Sequence, residues 1–275
     1  MGLPSSCRAA HRARAGNPGQ DFMSVKDLRL YDAMSSNYVS TRHADPRIGE
    51  RIRDALGAAQ SILNVGAGTG NYEPTGRRVV AVEPSPGMIA RRPANSGPVL
   101  RAAAETLPFP PHCFDASMAV LTTHHWRDWR QGLAEMRRVA VKQVILLFEP
   151  AMIHRFWAVD DGYWPEALSL PSERDAIGTP EVASVLDVVN VEPVPIPIDC
   201  TDGFGAAFWG RPEAYLDPQV QQGMSWLAQL PAEALAKGAA RLSAALRSGD
   251  WDRRHGHLRQ LEELDVGYRL ITAAS

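Results

Sequence analysis

A short apolar run, Ser61-Ile-Leu-Asn-Val65, breaks off into Gly66-Ala-Gly-Thr-Gly70, and a second, Val79-Val-Ala-Val82, follows and closes on Glu83. No other stretch restricts the fold as strongly. Both runs are too short for a helix and mostly apolar, which is how a strand buried on both faces reads. Further runs at Val99-Leu100, Ala116 to Leu121 and Val144 to Phe148 keep the rhythm. Helical segments lie between them at Ser85 to Arg91 and Trp129 to Val139, the latter with an apolar stripe of Leu133, Met136 and Val139. Strand, helix, strand predicts an α/β protein: a Rossmann-like, doubly wound parallel sheet with helices on both faces.

The flanks read differently. From Val25 to Leu56 the spacing is helical: Leu28, Leu30, Tyr31, Met34 and Tyr38 share a side, and Ile48, Ile52 and Leu56 repeat the pattern after Pro46. After Pro150 the alternation is lost. Aromatic clusters follow (Phe156, Trp157, Tyr163 and Trp164, then Phe204, Phe208, Trp209, Tyr215 and Trp226), with an extended Val191 to Ile198 between them. Two closing helices are expected, one carrying Leu235, Leu242 and Leu246 before Gly249, the other Leu258, Leu261 and Leu264 before Gly267. Tyr268 to Ala273 reads as a last strand. The expected organisation is a disordered tail (1–22), an N-terminal helical lid (23–60), a ligand-binding core (61–150), a helical, aromatic-rich cap (151–262) and the final strand of the sheet (263–275).

Composition bounds the function. At 275 residues, 45% hydrophobic and 22% charged, the chain has the make-up of an ordinary globular protein. A net charge of −2 gives no basic stripe for nucleic acid, so no nucleic-acid partner is expected. No run approaches the roughly 18 apolar residues of a membrane span, and the first residues carry Arg8, Arg12 and Arg14 without an apolar h-region. Cys7, Cys113 and Cys200, none at CxxC spacing, weigh against a disulfide framework and a thiolate metal site. The expectation is a cytoplasmic protein without membrane or metal, a monomer or a homodimer.

The glycine spacing narrows the ligand. A dinucleotide turn reads GxGxxG and a P-loop GxxxxGK[ST]. Here Gly66, Gly68 and Gly70 are spaced GxGxG, Asn71 stands where the third glycine would be, and no lysine is near. In an open α/β sheet the ligand sits at the carboxyl ends of the strands, beside the first turn. Glu83, ending the second strand, offers about four lone-pair sites to the two hydroxyls of a ribose.

Six motifs in order carry a resemblance: Tyr31-Asp32 with Tyr38, Val65 to Gly70, Val82-Glu-Pro-Ser85, Ala104-Glu-Thr-Leu-Pro-Phe109, Phe114-Asp115, and His124-His-Trp-Arg-Asp128 followed by Glu135-Met-Arg-Arg-Val139. Over residues 27 to 150 the chain resembles the class I S-adenosylmethionine-dependent methyltransferases, in particular the ubiquinone/menaquinone-methyltransferase-like group. The resemblance implies S-adenosyl-L-methionine as cofactor. It places the turn Gly66-Ala67-Gly68 to Gly70, with Asn64 before it, under the methionyl part and ribose, and Glu83 and Pro84 at the ribose. Met88, Ala104, Glu105 and Leu121 would surround the adenine, and Tyr31, Tyr38 and Arg42 would close over the methionyl carboxylate. The chain departs from the family in three places. Asn64 stands two before the first glycine, and Ala103 before the Ala-Glu pair, where an acid is usual; the helix after Gly70 is cut short around Pro74.

For chemistry, His124 and His125 after the fourth strand are candidate general bases with an ordinary pKa near working pH. Glu149 at the end of the fifth strand is the candidate to orient an imidazole, or else to cap the next helix. The resulting expectation is methyl transfer to a small-molecule acceptor, in the first place to oxygen. The alternative is a non-catalytic S-adenosylmethionine- or S-adenosylhomocysteine-binding regulatory protein of the same fold.

Overall fold

The computed structural model describes residues 42–274. It contains a seven-stranded sheet: β1 (Ser61–Val65), β2 (Arg78–Val82), β3 (Val99–Leu100), β4 (Phe114–Val120), β5 (Ala140–Phe148), β6 (Val188–Pro193) and β9 (Tyr268–Ala274). The order is β3-β2-β1-β4-β5-β9-β6. Strands β1 to β5 are parallel, whereas β9 runs antiparallel to both β5 and β6. The chain order reverses between β1 and β4, which places the crevice at their carboxyl ends. A two-stranded pair, β7 (Ile196–Pro197) with β8 (Glu263–Leu264), lies apart from the main sheet.

Alternation along the strands builds two cores. Ile62, Met118, Val144, Leu146 and Leu270 face one side, and their neighbours Leu63, Ala119, Ile145, Leu147 and Ile271 the other. On the first side lies α1 (Pro46–Leu56), burying Ile48, Ile52 and Leu56; Asp45 caps it by accepting from the Arg47 N–H. Between β2 and β3 comes α2 (Pro86–Ala90), capped by Ser85. On the second side lies α3 (Trp129–Val139), with Leu133, Met136 and Val139 buried as the stripe predicts.

The remaining helices are α4 (Trp157–Asp160), α5 (Pro171–Arg174), α6 (Thr179–Ala183), α7 (Pro218–Gly223), α8 (Ser225–Ala228), α9 (Ala232–Ser248) and α10 (Asp250–His255). Strand β6 falls inside the segment expected to be all cap. The cap is therefore two pieces, before and after β6, that close on each other through aromatic rings. Trp157 packs edge-on against Tyr215 and Trp251 with ring centroids 5.4 Å apart, and Trp164 against Trp226 at 5.9 Å. Three of the buried indoles place their N–H on a backbone carbonyl: Trp157 donates to Trp209, Trp209 to Ile196 and Trp164 to Leu235. Helix α9 passes Trp164 at Gly238, where a Cβ would stand 2.1 Å from the indole nitrogen.

Two local expectations are corrected. Residues 71–77 form turns and no helix at all, with Tyr72 in the left-handed region at φ 65°. The last helix is α10, immediately after Gly249; Leu258 lies in a 3-10 turn (Gly256–Gln260), and Leu264 in β8. Residues three apart stack on a 3-10 turn as readily as on an α-helix, so the leucine spacing did not discriminate. Cys200 is a buried free thiol. Among the described residues no helix is long and apolar enough to cross a membrane.

Candidate active site

The glycine turn leaves β1 at the reversal of strand order. The Gly66 and Ala67 N–H groups both donate to the Val82 carbonyl, at 2.9 and 3.1 Å, which folds the turn back over β2. Two of its glycines serve different ends. Gly66 has φ 68° and a Cβ there would lie 2.2 Å from the Thr122 hydroxyl, so the turn rests directly on the residues after β4. Gly68 has φ 52°, and a Cβ there would meet no protein atom within 4 Å. Its bare backbone faces open space in a large cavity, which it helps to line.

That cavity opens along the carboxyl ends of the parallel strands. Its wall is formed on the β2 side by the turn, Glu83, Pro84 and Met88, and on the β5 and β9 side by Phe148 and Tyr268 with Phe204 against them; Ala104, Leu121, Phe156 and Trp226 line it as well. His124 and His125 line the wall as well.

Glu83 is buried. Its carboxylate accepts the Gly68 N–H at 2.8 Å and the Ser85 N–H at 2.9 Å, so it fixes the turn as well as facing the cavity. Burial pushes its pKa up, opposed by those two N–H groups and by Arg92. Asn64 lines the cavity and donates to Glu73 at 3.0 Å. Arg92 grips both oxygens of Glu73 at 2.8 Å. A carboxylate is thus present behind position 64, supplied by residue 73 and matched by a guanidinium. Gly70, predicted with the binding turn, is not on the cavity wall; a Cβ there would press on Arg92 at 3.0 Å. Glu105 lines the cavity, but one of its oxygens accepts the Arg127 and Asp128 N–H groups, at 2.8 and 3.1 Å, tying its own loop to the turn after β4.

Leu121, at the end of β4, has φ 52°, a strain of order 1–3 kcal/mol for a residue with a side chain. That kink throws the chain into the 3-10 turn Thr123–His125. The two imidazoles lie against each other with centroids 3.7 Å apart and planes tilted 55°. Both residues are half-buried and line the cavity. Burial pushes His124 down to about 4, helped by the Arg42 charge; His125 is driven well below the ordinary value by burial, His124 and Arg42. Both are neutral at pH 7 and able to accept a proton.

Arg42 lines the cavity, but its guanidinium is already engaged by the buried Asp202, whose carboxylate also accepts the Tyr72 hydroxyl at 2.8 Å. Neither Asp202 nor Tyr72 stood out in the sequence, because the partners lie far apart along the chain. Tyr31 and Tyr38 lie outside the described residues.

Of the two roles open to Glu149, the contacts favour the helix cap. Its carboxylate accepts the Thr179 N–H at 3.2 Å and the Thr179 hydroxyl at 2.9 Å, and it is not on the cavity wall. It fills the space beside Gly178, where a Cβ would sit 2.1 Å from its oxygen, and so caps α6. Glu149→Ala should therefore lower unfolding free energy by about 1 kcal/mol, as lost helix caps do, with kcat retained. A thermal melt and a turnover assay on the one variant check this; lost turnover with an unchanged melt would return Glu149 to the chemistry.

A seven-stranded sheet in this order, with a glycine turn after β1 and a carboxylate ending β2, defines the class I methyltransferase fold. A family model for a methyltransferase domain matches residues 63–148. A structure from Anabaena variabilis, carrying the name of a methyltransferase from an antibiotic biosynthesis pathway, aligns at 31% identity and a TM-score of 0.78, covering 86% of this chain and 99% of its own. The chain belongs to the S-adenosylmethionine-dependent methyltransferase family. The fold also matches the [4+2]-cyclase SpnF (15% identity, TM-score 0.51, 92% of this chain and 97% of that one). It matches too a Haemonchus contortus phosphoethanolamine N-methyltransferase in complex with S-adenosylhomocysteine (12%, 0.50, 92% and 57%). Comparison with curated protein sequences finds no match.

Proposed function

We propose that the protein transfers a methyl group from S-adenosyl-L-methionine to an oxygen of a small molecule. The observation that carries this is the cavity: an open glycine backbone and a buried carboxylate on the β2 side, a neutral histidine pair after β4, and aromatic walls on the β5 and β9 side. The residues present fit the cofactor. Gly68 gives a side-chain-free floor, Glu83 has lone pairs to spare for ribose hydroxyls, and Met88, Ala104 and Leu121 form an apolar slot of the kind an adenine needs. The cofactor, when bound, supplies an activated methyl group with a good leaving group. The chain's own work is then to align the acceptor and to take the hydroxyl proton, at an imidazole nitrogen of His124 or His125. The motif order favours the ubiquinone/menaquinone-methyltransferase-like subgroup, and the expected division into lid, core and cap would put the acceptor on the cap side.

The second reading, a ligand-binding protein without turnover, is favoured by one observation. Arg42 is matched by Asp202 and so has less to offer a methionyl carboxylate. Isothermal titration with S-adenosylhomocysteine, with NAD as control, tests the cofactor assignment. Micromolar binding of the first and none of the second is expected; binding of NAD instead would overturn it. Transfer of labelled methyl to an acceptor panel then separates enzyme from binder.

A further inference from the structure

The cavity contains a carboxylate that the proposed chemistry leaves unused. Glu173 sits on α5, which packs against the turn bearing the two histidines, and it lines the same cavity. Its hydrogen bond is a long one, 3.4 Å from the Ser172 hydroxyl. Glu173 is half-buried, and among the described residues no cationic side chain pairs with its carboxylate. The neighbouring Arg174 turns away to Asp175. Arg42 is committed to Asp202, and the histidines are held neutral. A carboxylate taken from water without a counter-charge is unfavourable unless something else brings the charge. Burial has pushed its pKa up to about 6, in keeping with that account.

Aromatic faces surround the same space. Tyr268 feels the Glu173 charge and packs edge-on to Phe148 at 5.3 Å and Phe204 at 4.7 Å; Phe156 and Trp226 complete the walls. Ring faces attract a cation, with a carboxylate as its partner. A hydroxyl would satisfy the hydrogen bond and leave the charge unmatched, whereas a basic nitrogen satisfies both.

We propose that Glu173 anchors a protonated amine on the acceptor, so that the substrate class is an aromatic or apolar molecule bearing a basic nitrogen away from the methylated oxygen. This rests on the methyltransferase reading of the cavity. The test is calorimetric titration of the full chain, with and without saturating S-adenosylhomocysteine, using phenethylamine and longer arylalkylamines beside their neutral alcohol isosteres. The expected result is a preference for the amines of about tenfold or more in the native protein. Glu173→Gln should erase that preference and leave S-adenosylhomocysteine affinity unchanged, and Glu173→Asp should restore part of it.

Equal binding of amine and alcohol, no binding of any amine, or an amine preference that survives in Glu173→Gln would overturn the proposal. So would a Glu173→Gln protein that loses affinity for S-adenosylmethionine but not for S-adenosylhomocysteine, since the carboxylate would then face the sulfonium. If the native protein bound no S-adenosylhomocysteine, the cofactor reading would fall, and the amine comparison run without it would still decide the role of Glu173.

Discussion

Glu83→Ala should lose S-adenosylhomocysteine binding by a factor of at least about 100, in a protein that still melts cooperatively. Hydrogen bonds to a charged group contribute about 1.5–3 kcal/mol each, and two ribose hydroxyls shared by one carboxylate therefore bring about 10²–10⁴ in affinity. The structure adds a second cause. The same carboxylate holds the Gly68 and Ser85 N–H groups, so its removal also releases the floor of the cavity. The two causes separate by measurement. Glu83→Gln keeps the side-chain shape and one carbonyl oxygen for Gly68, and should fall between the native protein and the alanine variant in both affinity and thermal midpoint. A folded Glu83→Ala protein with near-native affinity would remove Glu83 from the cofactor site.

Much of this site was readable because its parts are local. The strand, glycine turn and second strand occur in one short stretch, and the apolar stripes of α1 and α3 have the period of the helices they form. Glu149 was ambiguous for a physical reason. A carboxylate at a strand end faces either the cavity or the next helix, and only the position of Thr179 decides between them. Arg42 with Asp202, and Glu173 with Tyr268, bring together residues distant in the chain that no periodicity links. The cap helices are mostly one turn long, too short for a 3.6-residue pattern to declare itself; tertiary packing of Trp157, Trp164 and Trp251 defines them instead. Aromatic composition marked the segment after Pro150 as rich in rings. It did not separate Phe156, Phe204 and Trp226, which line the cavity, from the rest.

Replacing His124 and His125 together by alanine should reduce kcat by about 100-fold and leave S-adenosylhomocysteine affinity unchanged. The double variant is needed because the rings touch: each is within reach of the same space, and either alone is able to take over from the other. General bases contribute about 10²–10⁴. The lower end is expected here, since an imidazole pushed down to about 4 accepts a proton with less driving force than one near 7. The depressed pKa also fixes the pH dependence. A lowered value means that the neutral, proton-accepting form prevails above it, so kcat should stay level from pH 8 to about 5 and be lost as the pH falls through about 4. An acidic limb nearer the ordinary histidine value would mean that the cavity, once filled, solvates the ring better than it does empty. Unreduced turnover in the double variant would end the general-base role. Catalysis would then rest on alignment alone, which suffices when the nucleophile arrives already deprotonated.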